Sequence, residues 1–272
     1  MSLDRQFFLN CSADLGLVLQ EVCLICGADI TQFEDVVVVS SAPVFLTEDV
    51  AIPRFIGVLY GTCSGCGVKV QSPRLSDESI ALYYSTGAYR KFLMVSRTPN
   101  EREKVEGWRS MYVATKLLSK SPNNRTHLDF GGDSGLLCRM MVGEGDYASI
   151  LIELNEESRK YAETFHKIPA FAEMPQKGLK FGAISAIEVL EHLGNPVEVL
   201  SDLYSRLEDG GTLIATVPLD NPEWAHHYSI HHIHVFTENS LRELAKQAGI
   251  TEPLEIDAVE TSLVLSVTRR KL

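Results

Sequence analysis

Thr126-His-Leu-Asp129-Phe-Gly131-Gly132-Asp133-Ser-Gly135 runs from an extended apolar stretch straight into a turn of glycines and acids, and a helical stretch follows over Gly135–Val142. Strand, glycine loop and helix in that order open a parallel α/β sheet. Outward from this unit, strands are expected at Ala148–Leu154, Ile168–Phe171, Ile184–Ile187 and Thr212–Val217, with helices at Glu156–His166 and Val197–Leu207 between them. Such alternation implies a mostly parallel sheet covered on both faces. A helix at Glu238–Ala248 is stopped by Gly249. Leu254–Val259 and Ser262–Thr268, linked only by Glu260-Thr261, then read as an antiparallel hairpin at the sheet edge. The fold class is α/β: a doubly wound, mostly parallel seven-stranded sheet with an antiparallel C-terminal hairpin.

In a doubly wound sheet a ligand lies beyond the carboxyl ends of the strands. Gly131, Gly132 and Gly135 let one approach the backbone, while Asp129 and Asp133 place two carboxylates in the same loop. Those carboxylates repel a pyrophosphate, the usual guest of such loops. A cationic, phosphate-free ligand fits better, and S-adenosylmethionine (SAM) carries a sulfonium and an ammonium. Glu153, at the end of the second strand, can accept hydrogen bonds from ribose hydroxyls, as it would from a nicotinamide dinucleotide too.

The front of the chain carries Cys23-Leu-Ile-Cys26-Gly27 and Cys63-Ser-Gly-Cys66-Gly67, two copies of one pattern. Each can grip a metal from a tight turn, and four sulfurs are the tetrahedral set of structural zinc, with no open position for substrate. The glycine after each pair permits the positive φ of such a turn. Val36–Val39, Val44–Leu46 and Phe55–Leu59 supply β-rich segments, so a small β-rich, zinc-ribbon-like domain precedes the sheet. Cys11 and Cys138 read as free thiols. The expected organisation is a zinc-binding module over 1–76, a helical linker with front helices over 77–125, including Val105–Lys120, and the ligand-binding domain over 126–272. Tyr84 and Tyr89 are read as core tyrosines that could also close over a ligand.

The chain has 272 residues, 45% of them hydrophobic, and a formal net charge of -11. The size suits one large and one small domain. The acidic balance disfavours nucleic acid as a partner. No apolar run reaches membrane length and no leader pattern opens the chain, so a cytoplasmic location without membrane contact is expected. Oligomeric state stays open.

The run from His127 to Gly135 resembles the first motif of class I SAM-dependent methyltransferases, with Asp133 in place of that motif's middle glycine. Ile152-Glu153-Leu154-Asn resembles the second motif. Ile187-Glu188-Val-Leu-Glu191-His192-Leu-Gly-Asn-Pro196 resembles the segment after the fourth strand, and His234-Val-Phe-Thr237 through Gly249 resembles the family's tail. The resemblance covers Thr126–Thr268 and extends to zinc-containing sugar and small-molecule methyltransferases. It implies SAM as cofactor, with Asp129, Gly131, Gly132 and Gly135 near its methionine end, Glu153 and Leu154 at the ribose, Ala172 and Glu173 at the adenine, and Ile187 and Glu188 lining the methionine side. It also implies methyl transfer to a small-molecule acceptor with a hydroxyl, such as a sugar or nucleotide sugar. An RNA methyltransferase and a non-catalytic SAM-binding protein are the alternatives. An alcohol must shed its proton, and Glu188, Glu191, His192 and His234 are the candidates for that step. Glu188-x-x-Glu191-His192 also resembles a pattern that serves a metal in some O-methyltransferases, which would make a second divalent ion possible. His226, His227 and His231 read as loop residues, near a substrate mouth or solvated.

Overall fold

The structure, a computed structural model, describes residues 16–39, 44–45, 51–52, 55–89, 99–120, 122, 124–176, 178–220 and 228–270. Cys11, His226 and His227 lie outside them. In chain order the strands and helices are β1 (Leu17–Val18), β2 (Ile30–Val39), β3 (Val44–Phe45), β4 (Ala51–Ile52), β5 (Phe55–Cys63), β6 (Lys69–Gln71), β7 (Arg74–Leu75), α1 (Asp77–Ser85), α2 (Pro99–Lys120), β8 (Thr126–Phe130), α3 (Leu136–Gly145), β9 (Ala148–Ile152), α4 (Glu156–Tyr161), β10 (Ala170–Phe171), β11 (Phe181–Ile187), α5 (Pro196–Ser205), β12 (Leu207–Pro218), β13 (His234–Val235), α6 (Glu238–Gln247), β14 (Leu254–Val259) and β15 (Ser262–Thr268).

Compactness divides the chain into two units. The first gathers Met1–Thr98, Glu191–Val197 and Pro218–Gln247; the second gathers Pro99–Leu190, Glu198–Val217 and Ala248–Leu272.

The first unit is built on a four-stranded sheet of order β13-β6-β5-β2, its pairs antiparallel. Strand β13 comes from far along the chain and closes the edge, with His234 opposite Val70 and Val235 opposite Lys69. Tyr60, Leu75, Tyr83, Ile233 and Val235 pack into one buried cluster. Each buried side chain of this size contributes roughly 1.5–3 kcal/mol relative to exposure. Ser76 caps α1 by accepting a hydrogen bond from the Ser79 amide.

The second unit holds a seven-stranded sheet of order β10-β9-β8-β11-β12-β15-β14. Neighbours from β10 through β12 are parallel, and β14 and β15 form an antiparallel pair joined through Glu260 and Thr261. The α/β class read from sequence holds, with the hairpin at the predicted edge. Val113 and Leu117 of α2 and Leu137 and Met141 of α3 pack with Ala183, Ile214 and Val264 of the sheet. Strand order turns back between β8 and β11, so a crevice opens at the carboxyl ends of these two strands. The helix expected over Glu156–His166 is present, but its last turn widens to a π-helix at Ala162–His166. Among the described residues no helix is long and apolar enough to cross a membrane.

Candidate functional site

The crevice of the second unit is lined by the loop after β8. Asp133, where the motif would carry a glycine, sits at φ 47. Asp accepts this left-handed backbone at lower cost than most residues. Its amide donates to Glu153 Oε2 at 3.0 Å, and its Oδ1 accepts from the Ser158 hydroxyl at 2.7 Å. The turn therefore survives the substitution. Glu153 is buried, and its other oxygen accepts from the Asn155 amide at 2.8 Å. Leu154 is exposed beside it, and Ala172 and Glu173 are exposed just after β10.

Asp129 points into the sheet rather than out of the loop. It is 1% exposed, and a Cβ on Gly132 would lie 2.1 Å from its Oδ2, so only glycine fits above it. Its Oδ1 accepts from Ser185 Oγ at 2.5 Å. His127, two residues earlier on the same face, joins Ser149 Oγ at 2.6 Å through Nδ1 and Ser185 Oγ at 2.9 Å through Nε2. A buried polar line thus crosses three strands, from Ser149 on β9 through His127 and Ser185 to Asp129. With Asp129 ionised, the Ser185 hydroxyl donates to it and accepts from His127 Nε2–H, leaving Nδ1 to accept from Ser149. Burial lowers the His127 pKa to about 3, so the ring is neutral.

Glu188 follows β11 at φ 54, with its amide donating to the Thr216 carbonyl at 2.9 Å. Its carboxylate is held by Arg109 at 3.2 Å and accepts from the Ser262 and Thr216 hydroxyls, each at 3.0 Å. Ile187 is half-buried at the end of the same strand.

In the first unit, Cys23, Cys26, Cys63 and Cys66 converge, with their sulfurs within 4.8 Å of one another. Cys23 and Cys66 are 3.7 Å apart and Cys26 and Cys63 3.4 Å, close to the roughly 3.8 Å edge of a zinc–sulfur tetrahedron with bonds of about 2.3 Å. The two turns are copies: Gly27 N donates to Cys23 O and Gly67 N to Cys63 O, at φ 73 and 76. Amides of Ile25, Gly65 and Cys66 point at sulfurs. The Cys66 thiol, helped by the backbone amides of Cys26 and Ile25, lowers Cys23 to about 5. The donor set fits zinc.

The same unit brings His192 together with His231 and His232, one ring nitrogen of each lying within 4.8 Å of the others. His231 lies in a turn, as read from sequence, but it is buried rather than solvated. Glu191 is buried, and its Oε1 is 3.6 Å from His192 Nε2. His234 stands apart on β13, 1% exposed; neither ring nitrogen has a hydrogen-bond partner among the described residues, and burial lowers its pKa to about 3. Tyr89 is buried in the core cluster and Tyr84 packs against it. Cys138 is buried beneath Asp129 Oδ2, at 3.9 Å.

Residues 108–251, more than half of the chain, match the family model described as a methyltransferase domain. The chain belongs to that family. No curated protein sequence matches it. Solved structures share the fold of this chain at low identity. An O-methyltransferase family protein from Burkholderia thailandensis is 13% identical with a TM-score of 0.56, over 72% of this chain and 63% of that one. The chain thus spans under two thirds of that relative's length. Magnesium protoporphyrin IX methyltransferase from Synechocystis PCC 6803, with bound S-adenosylhomocysteine, is 16% identical with a TM-score of 0.54, over 71% of this chain and 100% of that one. The plantazolicin methyltransferase BpumL, in complex with S-adenosylhomocysteine, is 13% identical with a TM-score of 0.55, over 71% and 94%.

The sequence did not point to Arg109, Thr216 or Ser262 as partners of Glu188, because they come from a helix and two strands remote in the chain. It also left out the line from Ser149 to Asp129. The one available signal was His127, a second titratable residue two positions before Asp129 in the same strand. This line carries a pH effect. Desolvation, with Glu153 adding to it, pushes Asp129 up from the ordinary 3.8 to about 7. The folded state therefore keeps the proton longer than the unfolded chain. Stability is full below about pH 4 and falls as pH rises towards 7, by up to about 4 kcal/mol. Asp129→Asn, which cannot ionise, should gain stability relative to wild type between about pH 5 and pH 8 in denaturant titrations of the ligand-free protein. An equal difference at both pH values would contradict the raised pKa.

Proposed function

We propose that this methyltransferase uses SAM to methylate a hydroxylated small molecule, a sugar or nucleotide sugar being the class that suits the resemblance. The observation that carries the cofactor reading is the acidic lining of the crevice in the second unit: Asp129 beneath the loop, Asp133 within it and Glu153 at the end of β9. In this reading Glu153 takes the ribose hydroxyls, and Leu154 packs beside the ribose. Ala172 and Glu173 face the adenine. The backbone of Gly131, Gly132 and Gly135 and of Ile187 and Glu188 borders the methionine end, with Asp129 bracing the loop from below. When bound, SAM supplies an activated methyl group whose transfer depends on close, in-line placement of the acceptor. The two relatives that hold S-adenosylhomocysteine support the choice of cofactor.

Glu188, Glu191, His192 and His234 are proposed for proton handling and positioning. Glu188, committed to Arg109, suits a positioning role. His192, half-buried and beside Glu191, suits proton transfer better than the fully buried His234. Cys23, Cys26, Cys63 and Cys66 are proposed to hold a structural zinc ion, and the thiols, unpaired in disulfides, suit a cytoplasmic location.

Isothermal calorimetry of the full chain tests the cofactor. S-adenosylhomocysteine should bind with one-to-one stoichiometry, and NAD should give no heat. NAD binding, or no uptake of the thioether, would overturn the reading.

A further inference from the structure

We propose that His192, His231 and His232 form a second metal site, distinct from the four cysteines, which takes a transition ion such as Zn2+, Co2+ or Ni2+ and leaves one coordination position open. The site is complete within the first unit. One nitrogen from each ring already lies within 4.8 Å of the other two. A tetrahedral ion with metal–nitrogen bonds of about 2.0–2.1 Å separates its nitrogens by about 3.4 Å, so the rings need to close by no more than about 1.4 Å.

The rings of His192 and His231 are held as metal-binding histidines are held. His192 ends a 3-10 turn over Leu190–His192, and its Nδ1 donates to the His231 carbonyl at 2.9 Å. A ring fixed through Nδ1 in this way presents the Nε2 lone pair. His231 Nδ1 lies 3.2 Å from the Tyr83 hydroxyl, and the two rings stack with centroids 5.1 Å apart. The turn that carries His231 and His232 is pinned on several sides. The Tyr60 hydroxyl donates to the His232 carbonyl at 2.6 Å, Ile233 N donates to Glu191 O at 2.8 Å, and Gln71 N donates to Ile233 O at 2.9 Å. Ligands, partners and backbone are therefore largely preset.

The donor chemistry selects the ion. Three imidazoles favour zinc, cobalt, nickel or copper, whereas magnesium and calcium take oxygen. Three protein ligands leave a fourth position for water or an alcohol oxygen, whose proton the ion makes easier to lose. The Glu191 carboxylate, 3.6 Å from His192 Nε2, stands at the edge of the site. This places any metal chemistry of the Glu188-x-x-Glu191-His192 segment on its histidine end, since Glu188 is committed to Arg109. It also deepens the proton-handling role proposed for His192, which would act through the ion.

The full chain, first loaded with zinc at its cysteines, is titrated with Co2+ or Ni2+ in a calorimeter, and bound metal is counted after dialysis. One further equivalent should bind. His192→Ala and His232→Asn should each weaken it at least about a hundredfold, and Tyr83→Phe about tenfold, because ligand loss costs no less than loss of a group that orients a ligand. The zinc content at the cysteines should not change. A wild-type protein that binds no further equivalent, or histidine variants that bind it as tightly as wild type, would overturn the site. Neither measurement involves SAM, so failure here leaves the methyl-transfer reading standing, and failure to bind S-adenosylhomocysteine leaves the metal site untouched.

Discussion

Stripping the proposed zinc ion from the four cysteines, or replacing Cys63 with serine, is expected to unfold the small sheet of the first unit. Cys63 is the last residue of β5 and pairs with Ile30, the first residue of β2, so the metal turn and the strand register share a residue. Cys66 is tied to α6 as well, through its carbonyl and Asn239 Nδ2 at 2.9 Å. Without an ion, four buried or half-buried sulfurs crowd at 3.4–3.7 Å contacts with little to hold them there. Structural zinc sites of this kind contribute an apparent binding free energy of about 10–16 kcal/mol, and much of it is folding free energy. A loss of even about 3 kcal/mol would lower the melting temperature by roughly 10 °C or more. Amide exchange at Cys63–Val70 should become fast after chelation, and added zinc should restore protection. An unchanged melting curve in a fully metal-free protein would show that the four thiols need no ion.

Replacing Glu153 with alanine should weaken S-adenosylhomocysteine at least a hundredfold. The carboxylate accepts from the Asp133 and Asn155 amides, so its removal leaves two inward-facing donors unmet and releases the loop after β8. Charge-assisted hydrogen bonds contribute about 1.5–3 kcal/mol each, and a pair of ribose hydroxyls would be lost as well. A hundredfold loss corresponds to about 2.8 kcal/mol, so even partial compensation by water leaves a clear effect. Calorimetry reads the affinity, and a melting curve separates loop release from global unfolding. Binding within a few-fold of wild type would remove Glu153 from the cofactor site.

Much of this architecture was legible because its signals are local. The strand and glycine loop at Thr126–Gly135, the hairpin link Glu260-Thr261 and the two paired-cysteine turns each specify their structure within about ten residues. Element ends were less legible. Strand β12 begins at Leu207, five residues before the apolar run that announced it, because Leu207 pairs with Phe181 ahead of a bulge in β12 that separates it from the next pair, Ala183 with Thr212. Glu188 was singled out for its spacing from Glu191 and His192, but its environment is set by Arg109, Thr216 and Ser262. Nothing in the spacing of residues 188–192 encodes those contacts. The burial of His231 was equally hidden, since its ring stacks on Tyr83, about 150 residues earlier in the chain.

Strand β13 has a practical corollary. The small sheet with the cysteine turns borrows its outer strand from residues 234–235, so a fragment expressed from the front of the gene alone would expose the backbone of Lys69–Gln71 and lack Ile233 and Val235 from its interior. Such a fragment should aggregate, and a protease nick between the two halves should leave pieces that copurify. The cysteine-bearing front is not a cassette that can be lifted out and grafted elsewhere.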